Sequence, residues 1–279
     1  MQRNPARTRS RLWIAAAAAL AVLWSSGCAS TRPPHKQPPE ERPVEGKNEP
    51  THEQRLARMH YEVGVEHLSA GRTPQAVGEL LESTRLNPND EQAQLALAEA
   101  YRRSGRMVEA EQHLLRALQI KPDYQQAHLN ISALYIQLER YQEAIPHAQH
   151  LIDDPTFPFP WRALTNLGWA ELQLGHLDSA AQHLAVALDY KPDYWPARLN
   201  LGILQAQRGN RAEAVQHFEH VLEAQPGPLA EAEVRYRLAE LQVAMGDRAA
   251  AIDQLTRATD LHPSGPWGKR SAEYLKSLQ

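Results

Sequence analysis

Histidines at a regular spacing are the residues of this chain that could carry out chemistry. His113, His147, His183 and His217 recur at intervals of 34 or 36 residues, each immediately before an apolar residue. An imidazole can bind a transition metal or titrate near pH 6.5. Zinc holds ligand nitrogens at about 2 Å, whereas packed helices lie about 8–10 Å apart. Successive members of this histidine column are therefore not expected to share a metal, and we predict no metal site.

Two more histidines, His150 and His220, lie three residues after members of the column, on the same face of a helix. Two ligands without a third form a weak metal site. We interpret the column as half-exposed side chains at a position where the repeat tolerates a tyrosine. A response to pH and adventitious metal binding remain as alternatives.

No enzyme motif is present in the sequence. The chain lacks a glycine-rich phosphate loop ending in Lys-Ser or Lys-Thr, and it lacks the motifs His-Glu-x-x-His and Gly-x-Ser-x-Gly. A formal net charge of −3, with no basic stripe, argues against a nucleic-acid partner. We therefore predict a protein without catalytic activity, cofactor or nucleic-acid partner, and an unrecognised enzyme is the remaining alternative.

The histidine column lies within a repeat of about 34 residues. A proline closes five of the units, and a small alanine precedes each of these prolines by twelve residues. The prolines are Pro88, Pro122, Pro192, Pro226 and Pro263. A glycine lies midway through five units, at Gly71, Gly105, Gly175, Gly209 and Gly246. Glu139 occupies this place in the third unit.

Each recurring residue has a physical reason that predicts a helical hairpin. Glycine supplies the left-handed turn that ends the first helix, and proline stops the second helix. Alanine in the second helix allows its partner to approach closely. Larger apolar residues of the first helix are expected to fill the seam between the helices: Val63, Leu97, Ile131, Leu167, Leu201 and Leu238.

This pattern resembles the tetratricopeptide repeat, a helical hairpin of about 34 residues. The resemblance implies an all-α, right-handed superhelical solenoid over residues 51–279, with about six hairpins and a capping helix at 266–279. The expected units are residues 57–90, 91–124, 125–160, 161–194, 195–228 and 232–265. The third unit has two extra residues, and residues 229–231 interrupt the period before the sixth.

The first 27 residues have the composition of an export signal. Four arginines precede an apolar run from Leu12 to Trp24, which is too short to span a bilayer comfortably. Cys28, the single cysteine, follows two small residues, and this resembles the bacterial lipoprotein box. The resemblance implies cleavage before Cys28 and its acylation, including by palmitate. Ala29 after the cysteine then implies an outer-membrane lipoprotein that faces the periplasm. An ordinary secretory signal and a short membrane anchor are the alternatives.

Residues 28–50 are expected to connect the lipidated cysteine to the repeats. This segment contains six of the 20 prolines among polar and charged residues, so it favours an extended polyproline conformation. At about 3.1 Å per residue it would reach roughly 70 Å from the membrane. We predict a tether that allows the repeats to act away from the bilayer.

Members of the tetratricopeptide repeat family bind partners on a concave face built from the first helix of each unit. This geometry implies an apolar groove that accepts a segment of a protein partner: Leu129, Ala133, Ile136, Trp169, Leu172, Leu199 and Ile203. Burial of these side chains within the superhelix is the alternative. A clamp for a partner's carboxylates, formed by Arg162, Asn166, Asn200 and Arg237, is a second alternative, although Glu233 replaces an expected basic residue.

The junction of the third and fourth units narrows the resemblance. Residues 153–158 read Asp-Asp-Pro-Thr-Phe-Pro, and Asn-Leu-Gly follows at 166–168. A similar insertion is found in the type IV pilus biogenesis lipoproteins, the pilotins of the PilF, PilW and Tgl type. The resemblance implies an outer-membrane protein that binds the pilus secretin and promotes its membrane localisation and multimerisation. A general repeat scaffold for another cell-envelope assembly remains the alternative.

Overall fold

The computed structural model describes residues 49–278, and within them all regular structure is helical. The helices are α1 His52–Ser69, α2 Thr73–Leu86, α3 Glu91–Arg103, α4 Met107–Ile120, α5 Gln125–Gln137, α6 Tyr141–Asp153, α7 Pro160–Gln173, α8 Leu177–Tyr190, α9 Trp195–Gln207, α10 Arg211–Glu223, α11 Pro228–Ala244, α12 Arg248–Leu261 and α13 Pro266–Leu278. The expected signal segment, Cys28 and residues 28–48 of the tether lie outside the described residues. No helix between residues 49 and 278 combines the length and apolarity needed to cross a bilayer.

Consecutive helices pair into six antiparallel hairpins, and the hairpins stack on one another. First helices of neighbouring hairpins also contact each other: α1 contacts α3, α5 contacts α7 and α7 contacts α9. The last helix, α13, packs against α11 and α12 and ends the stack. The predicted all-α superhelical repeat fold with a capping helix is therefore confirmed.

The glycines between the paired helices adopt the predicted left-handed conformation, with φ between 72° and 86°. At Gly175 the turn is closed by two backbone hydrogen bonds, from Gly175 N to Leu172 O and from His176 N to Glu171 O. Glu139 forms the same turn with φ of 58°, and the equivalent bonds run from Glu139 N and Arg140 N. An L-residue therefore occupies a backbone conformation that favours glycine.

Replacing Glu139 with glycine is expected to raise the free energy of unfolding by about 0.5–1 kcal/mol. A left-handed L-residue costs about 1–2 kcal/mol, and the greater chain entropy of glycine offsets part of the gain. Urea denaturation of the full-length protein measures the change. Gly175→Glu is the matched reverse substitution, since no heavy atom lies within 4 Å of a Cβ built there. Equal stability of Glu139→Gly and the parent protein would contradict this account.

The seam of each hairpin pairs a small residue of the first helix with a side chain sixteen positions later. A Cβ placed on Gly202 would lie 2.5 Å from Phe218 Cε1, and one on Gly168 would lie 2.7 Å from Leu184 Cγ. The predicted alanine column is fully buried in the second helices. Glycine and alanine thus set the close approach of the paired helices.

The larger seam residues follow the prediction except in the first unit. Leu97, Ile131, Leu167 and Leu238 are at most 2% exposed. Val63 is 40% exposed, so its predicted place in the core is wrong. No hairpin precedes α1 in the described part of the chain, and Val63 therefore lacks the neighbour that covers its equivalents.

The two interruptions of the period have different structures. After α6 ends at Asp153, residues 154–159 form a turn before α7 begins at Pro160. Asp154 Oδ1 accepts hydrogen bonds from the backbone and hydroxyl of Thr156, and Phe157 is buried against Leu129. The three residues 229–231, by contrast, lie in the first turn of α11 and lengthen that helix to 17 residues.

Candidate functional site

A groove of about 600 Å³ opens on the face formed by the first helices of the first three hairpins. Its wall consists of Tyr61, Val65, Leu68, Gln92, Leu95, Ala96, Glu99, Arg102, Arg103, Tyr124, Gln126, Asn130, Ala133, Gln137 and Arg162. Helices α1, α3 and α5 supply most of these residues, and α7 supplies Arg162. We refer to this surface as the groove.

The floor of the groove is apolar and its sides carry carboxamides. Val65, Leu95, Ala96 and Ala133 form apolar surface between the helices. Gln92 and Gln126 occupy the same position in successive units, 34 residues apart. Gln126 Nε2 donates to Asn130 Oδ1 at 2.9 Å, which leaves the Gln126 oxygen and the Asn130 amide available. The groove can therefore combine apolar contact with hydrogen bonds to peptide groups.

Positive charge exceeds negative charge in the groove. Arg102 and Arg103 both donate to Glu99, with distances of 2.7–2.9 Å. Burial opposes ionisation of Glu99, but these hydrogen bonds outweigh it and hold the pKa of the carboxyl below its usual value. Arg103 also donates to the carbonyl of Leu68 at 2.8 Å. With Arg162 added, three guanidinium groups face one carboxylate.

The structure corrects the predicted apolar groove at four of its seven residues. Leu129, Leu172, Leu199 and Ile203 are at most 8% exposed, so they support the wall from within and are not accessible to a partner. Phe157, from the turn after α6, covers Leu129. The other three residues belong to a core cluster against which Trp169 packs. The alternative of internal burial therefore holds for these four side chains.

The remaining three predicted residues keep accessible surface. Ala133 is exposed and lines the groove, whereas Ile136 and Trp169 are half-buried. Their role in partner binding stays a prediction. Sequence reasoning missed the contributions of Tyr61, Gln92, Tyr124, Gln126 and Gln137 to the groove. The available signal was their spacing: Gln126 follows Gln92 by 34 residues, and Arg162 follows Gln126 by 36 residues, so the three occupy the same position of successive units.

The alternative carboxylate clamp is disfavoured because two of its four residues are already engaged. Asn166 Nδ2 donates to Ser132 Oγ at 2.8 Å, which joins the fourth unit to the third. Arg237 donates twice to Glu233, at 2.9 and 2.7 Å, and its guanidinium lies 5.2 Å from the Trp267 ring centre. Glu233, which stands where the clamp pattern has a second basic residue, thus neutralises Arg237.

Three members of the histidine column, His113, His147 and His183, form hydrogen bonds between the two helices of a hairpin. His113 Nδ1 donates to Gln94 Oε1 at 2.7 Å, and Gln94 Nε2 donates to the carbonyl of Pro88 at 3.1 Å. We call the bond between the two helices the rung of the hairpin. The chain of bonds connects the second helix, the first helix and the proline that closes the preceding unit.

The rung of the third hairpin consists of two histidines. His128 Nε2 donates to the carbonyl of Pro122 at 2.8 Å, so Nδ1 of His128 is an acceptor. His147 Nδ1 lies 2.9 Å from it and donates the hydrogen bond. His150 stacks on His128 with ring centres 4.1 Å apart. Three imidazoles therefore meet between α5 and α6.

Burial and mutual repulsion disfavour the charged form in this cluster. Desolvation, followed by the charges of His128 and His150, lowers the pKa of His147 to about 4. Desolvation also lowers the pKa of His128. Within residues 49–278, no group of three or more His, Cys, Asp or Glu side chains is arranged to hold a metal ion. His128 and His147 therefore form a hydrogen bond between neutral rings at neutral pH.

Several solved structures have the same fold. PilW, described as a widely conserved type IV pilus biogenesis factor, matches with a TM-score of 0.68 and 22% identity, over 77% of this chain and 97% of that chain. PilF of Pseudomonas aeruginosa matches with a TM-score of 0.64 and 18% identity, over 80% and 100%. MamA of Desulfovibrio magneticus RS-1 matches with a TM-score of 0.55 and 21% identity, over 61% and 96%.

Sequence comparison identifies the repeat itself. No protein of curated function matches the chain. Family models of the tetratricopeptide repeat match residues 61–125 and 129–194 and, through a second model of the same repeat, residues 196–264. Such repeats typically mediate the binding of protein partners. These matches extend over most of the described hairpins, and the chain belongs to the tetratricopeptide repeat family.

Proposed function

We propose that this protein is a non-enzymatic, lipid-anchored outer-membrane protein that binds the type IV pilus secretin and promotes its membrane localisation and multimerisation. The observation that carries the proposal is the structural likeness to PilW and PilF, which extends over 97% and 100% of those chains. The lipoprotein box at Cys28 and the insertion at residues 153–158 support it from the sequence.

The parts of the molecule suit this activity physically. An acylated Cys28 would fix the protein to the membrane, since several acyl chains together hold a protein stably. The stack of hairpins presents the groove, in which apolar surface is flanked by carboxamides and arginines. A groove of this kind can cover an exposed segment of a secretin subunit until subunits pair with one another. Protection of that segment would favour ordered multimerisation over aggregation.

Deletion of the protein is expected to abolish the heat-resistant multimers of the secretin. Expression of Ala133→Trp in the deletion strain is expected to restore only about a tenth of them, because the bulky side chain fills part of the groove. The corresponding loss is about 1.4 kcal/mol of binding free energy, or a tenfold weaker affinity for the secretin. Immunoblots of envelope extracts with and without heating measure the multimers. Val108→Trp, at an exposed position of α4 outside the groove, is the matched control and should restore them fully.

Two results would contradict the proposal. Heat-resistant secretin multimers that persist in the deletion strain would favour a scaffold for a different envelope assembly. Full activity of Ala133→Trp would place the secretin contact outside the groove. Cys28→Ser tests the anchor separately, since it should release the protein from the outer-membrane fraction and end labelling by palmitate.

A further inference from the structure

We propose that the groove binds an extended, acidic segment of its protein partner and that a carboxylate of this segment pairs with Arg162. The inference rests on the proposed function, in which the groove holds the partner, and it adds the chemical character of the bound segment. Charge complementarity, the state of each arginine and the arrangement of the carboxamides support it in turn.

The charges of the groove favour an anionic occupant. Arg102, Arg103 and Arg162 face a single carboxylate, that of Glu99. Because Glu99 is hydrogen-bonded to both Arg102 and Arg103, its charge is shared between them. The wall therefore has a net formal charge of +2, three guanidinium groups against one carboxylate, although the whole chain carries −3. A positive groove on an acidic protein attracts acidic segments selectively.

Arg162 is the arginine left for a ligand. It is exposed in the first turn of α7, and none of the ion pairs within residues 49–278 involves it. Burial raises the pKa of Tyr194, and the charge of Arg162 together with its hydrogen bond to the Tyr194 hydroxyl offsets part of that rise. The guanidinium of Arg162 is thus held by a neutral hydroxyl and keeps its charge and its other N–H groups for a ligand. The helix dipole disfavours a cation in the first turn, so Arg162 does not stabilise α7. A carboxylate placed beside it would accept paired hydrogen bonds from the guanidinium.

The carboxamides indicate that the occupant is extended. Gln92 and Gln126 lie in one row along the stack, and Arg162 continues that row in the fourth unit. Gln92 keeps its amide N–H groups while its oxygen accepts from Arg58 at 3.4 Å, and Gln126 keeps its oxygen while its amide donates to Asn130 at 2.9 Å. Together they offer a donor and an acceptor to the unpaired C=O and N–H groups of an extended backbone. A helix satisfies these groups internally and would leave the row without partners. Small apolar side chains of the segment can then rest on Val65, Ala96 and Ala133.

Binding of synthetic peptides to the purified full-length protein tests the chemistry of the groove. The probes are fluorescent peptides with alternating Asp and Val, and matched peptides in which Asn or Lys replaces each Asp. The Asp peptide should bind about tenfold more tightly than the Asn peptide, and the Lys peptide should not bind. Affinity for the Asp peptide should fall as salt is raised. Equal binding of the three peptides would overturn the proposal.

Substitution of Arg162 locates the contact. Arg162→Gln should weaken binding of the Asp peptide about tenfold, and Arg162→Glu should abolish it. Arg211→Glu is the matched control, because Arg211 is an exposed residue in the first turn of α10 and does not line the groove. Unchanged affinity in Arg162→Glu would overturn the assignment. The assignment would also be overturned if the parent protein proved to be a dimer that Arg162→Glu dissociates, since the groove would then contact a second copy of the chain.

Co-purification with the secretin separates this inference from the proposed function. Secretin that binds the parent protein but not Arg162→Glu supports both. Secretin that binds the two proteins equally leaves the proposed function intact and rejects the acidic contact at Arg162. Absence of secretin binding by the parent protein, with selective binding of the Asp peptide, rejects the proposed function and retains the acidic preference of the groove.

Discussion

Replacing Phe218 with alanine is expected to lower the free energy of unfolding by about 3–5 kcal/mol. Phe218 is 1% exposed and is the largest of the fully buried side chains. Its ring fills the space that Gly202 leaves open in the facing helix. Truncation would create a cavity that the rigid hairpin cannot close, because neighbouring hairpins fix both helices. Urea denaturation of the full-length protein, followed by circular dichroism, measures the loss.

A double-mutant cycle tests whether the small and large residues of the seam act as a pair. Gly202→Ala alone should destabilise by overpacking against the ring, and Phe218→Leu alone should destabilise by leaving a void. Together they reproduce the pair Ala98 and Leu114 of the second unit. We expect the double variant to recover part of the loss, with a coupling of about 0.5–3 kcal/mol. Strictly additive effects would contradict a shared packing site.

The hairpins could be predicted from the sequence because their determinants are local. A glycine between two amphipathic segments needs only its own backbone freedom to end a helix, and all five predicted turn glycines have positive φ. The alanine column likewise contacts its own hairpin, and every member is fully buried. Glu139 shows that the stacked helices impose the turn even where the residue disfavours it.

The accessible surface of the groove could not be predicted in the same way because it depends on neighbouring units. Leu129 is in a first helix, as expected of a groove residue, but Phe157 from the following turn covers it. Leu172 and Ile203 are similarly covered by the packing around Trp169. These contacts come from neighbouring units and from the turn after α6, which a repeat pattern does not specify. The accessible groove therefore lies at the first three units, with Arg162 of the fourth, and not at the third to fifth units that supply the predicted residues.

The rungs depend on pairs of polar residues that are present in the sequence but are not part of the repeat pattern. Two rungs join residues 19 positions apart, Gln94 with His113 and His128 with His147, whereas His183 bonds Glu171 only 12 positions before it. The first hairpin has the same bond between His60 and Glu79, at 2.7 Å. A polar residue in the first helix therefore accompanies a polar residue in the second. At His113, His147 and His183 the histidine column is therefore explained by a structural hydrogen bond between helices.

Lowering the pH from 7 to 5 is expected to reduce the free energy of unfolding by about 1–2 kcal/mol through the histidine cluster of the third hairpin. The pKa of His147 is about 4 in the folded protein, against about 6.5 when unfolded. The unfolded chain therefore binds more protons between these values, and stability falls as pH falls through about 6.5. A tenfold change in an acid dissociation constant corresponds to about 1.4 kcal/mol, and solvent exposure of the half-buried ring reduces the effect.

The groups around the cluster do not relieve this effect. His128 and His150 face His147 and add repulsion when protonated. Asp123 Oδ1 lies 4.0 Å from His150 Nε2, too distant for a strong ion pair, and Tyr135 presents a neutral ring to His147. The nearby carboxylate of Glu111 is already bound by Arg140. Protonation of His128 at Nδ1 would in addition replace the acceptor of the rung with a second donor.

Substitution of His147 by glutamine distinguishes the cluster from other titrating groups. A glutamine amide can still donate to His128 Nδ1, so the hydrogen bond is retained while the titrating ring is removed. Urea denaturation between pH 7 and 5 should then show a smaller pH dependence than in the parent protein. His176→Gln, at an exposed turn residue, is the control and should leave the dependence unchanged. If the pH dependence of the free energy of unfolding is unaltered in His147→Gln, the acid sensitivity belongs to other groups. A smaller pH dependence would assign it to the hydrogen bond between His128 and His147 in the third hairpin.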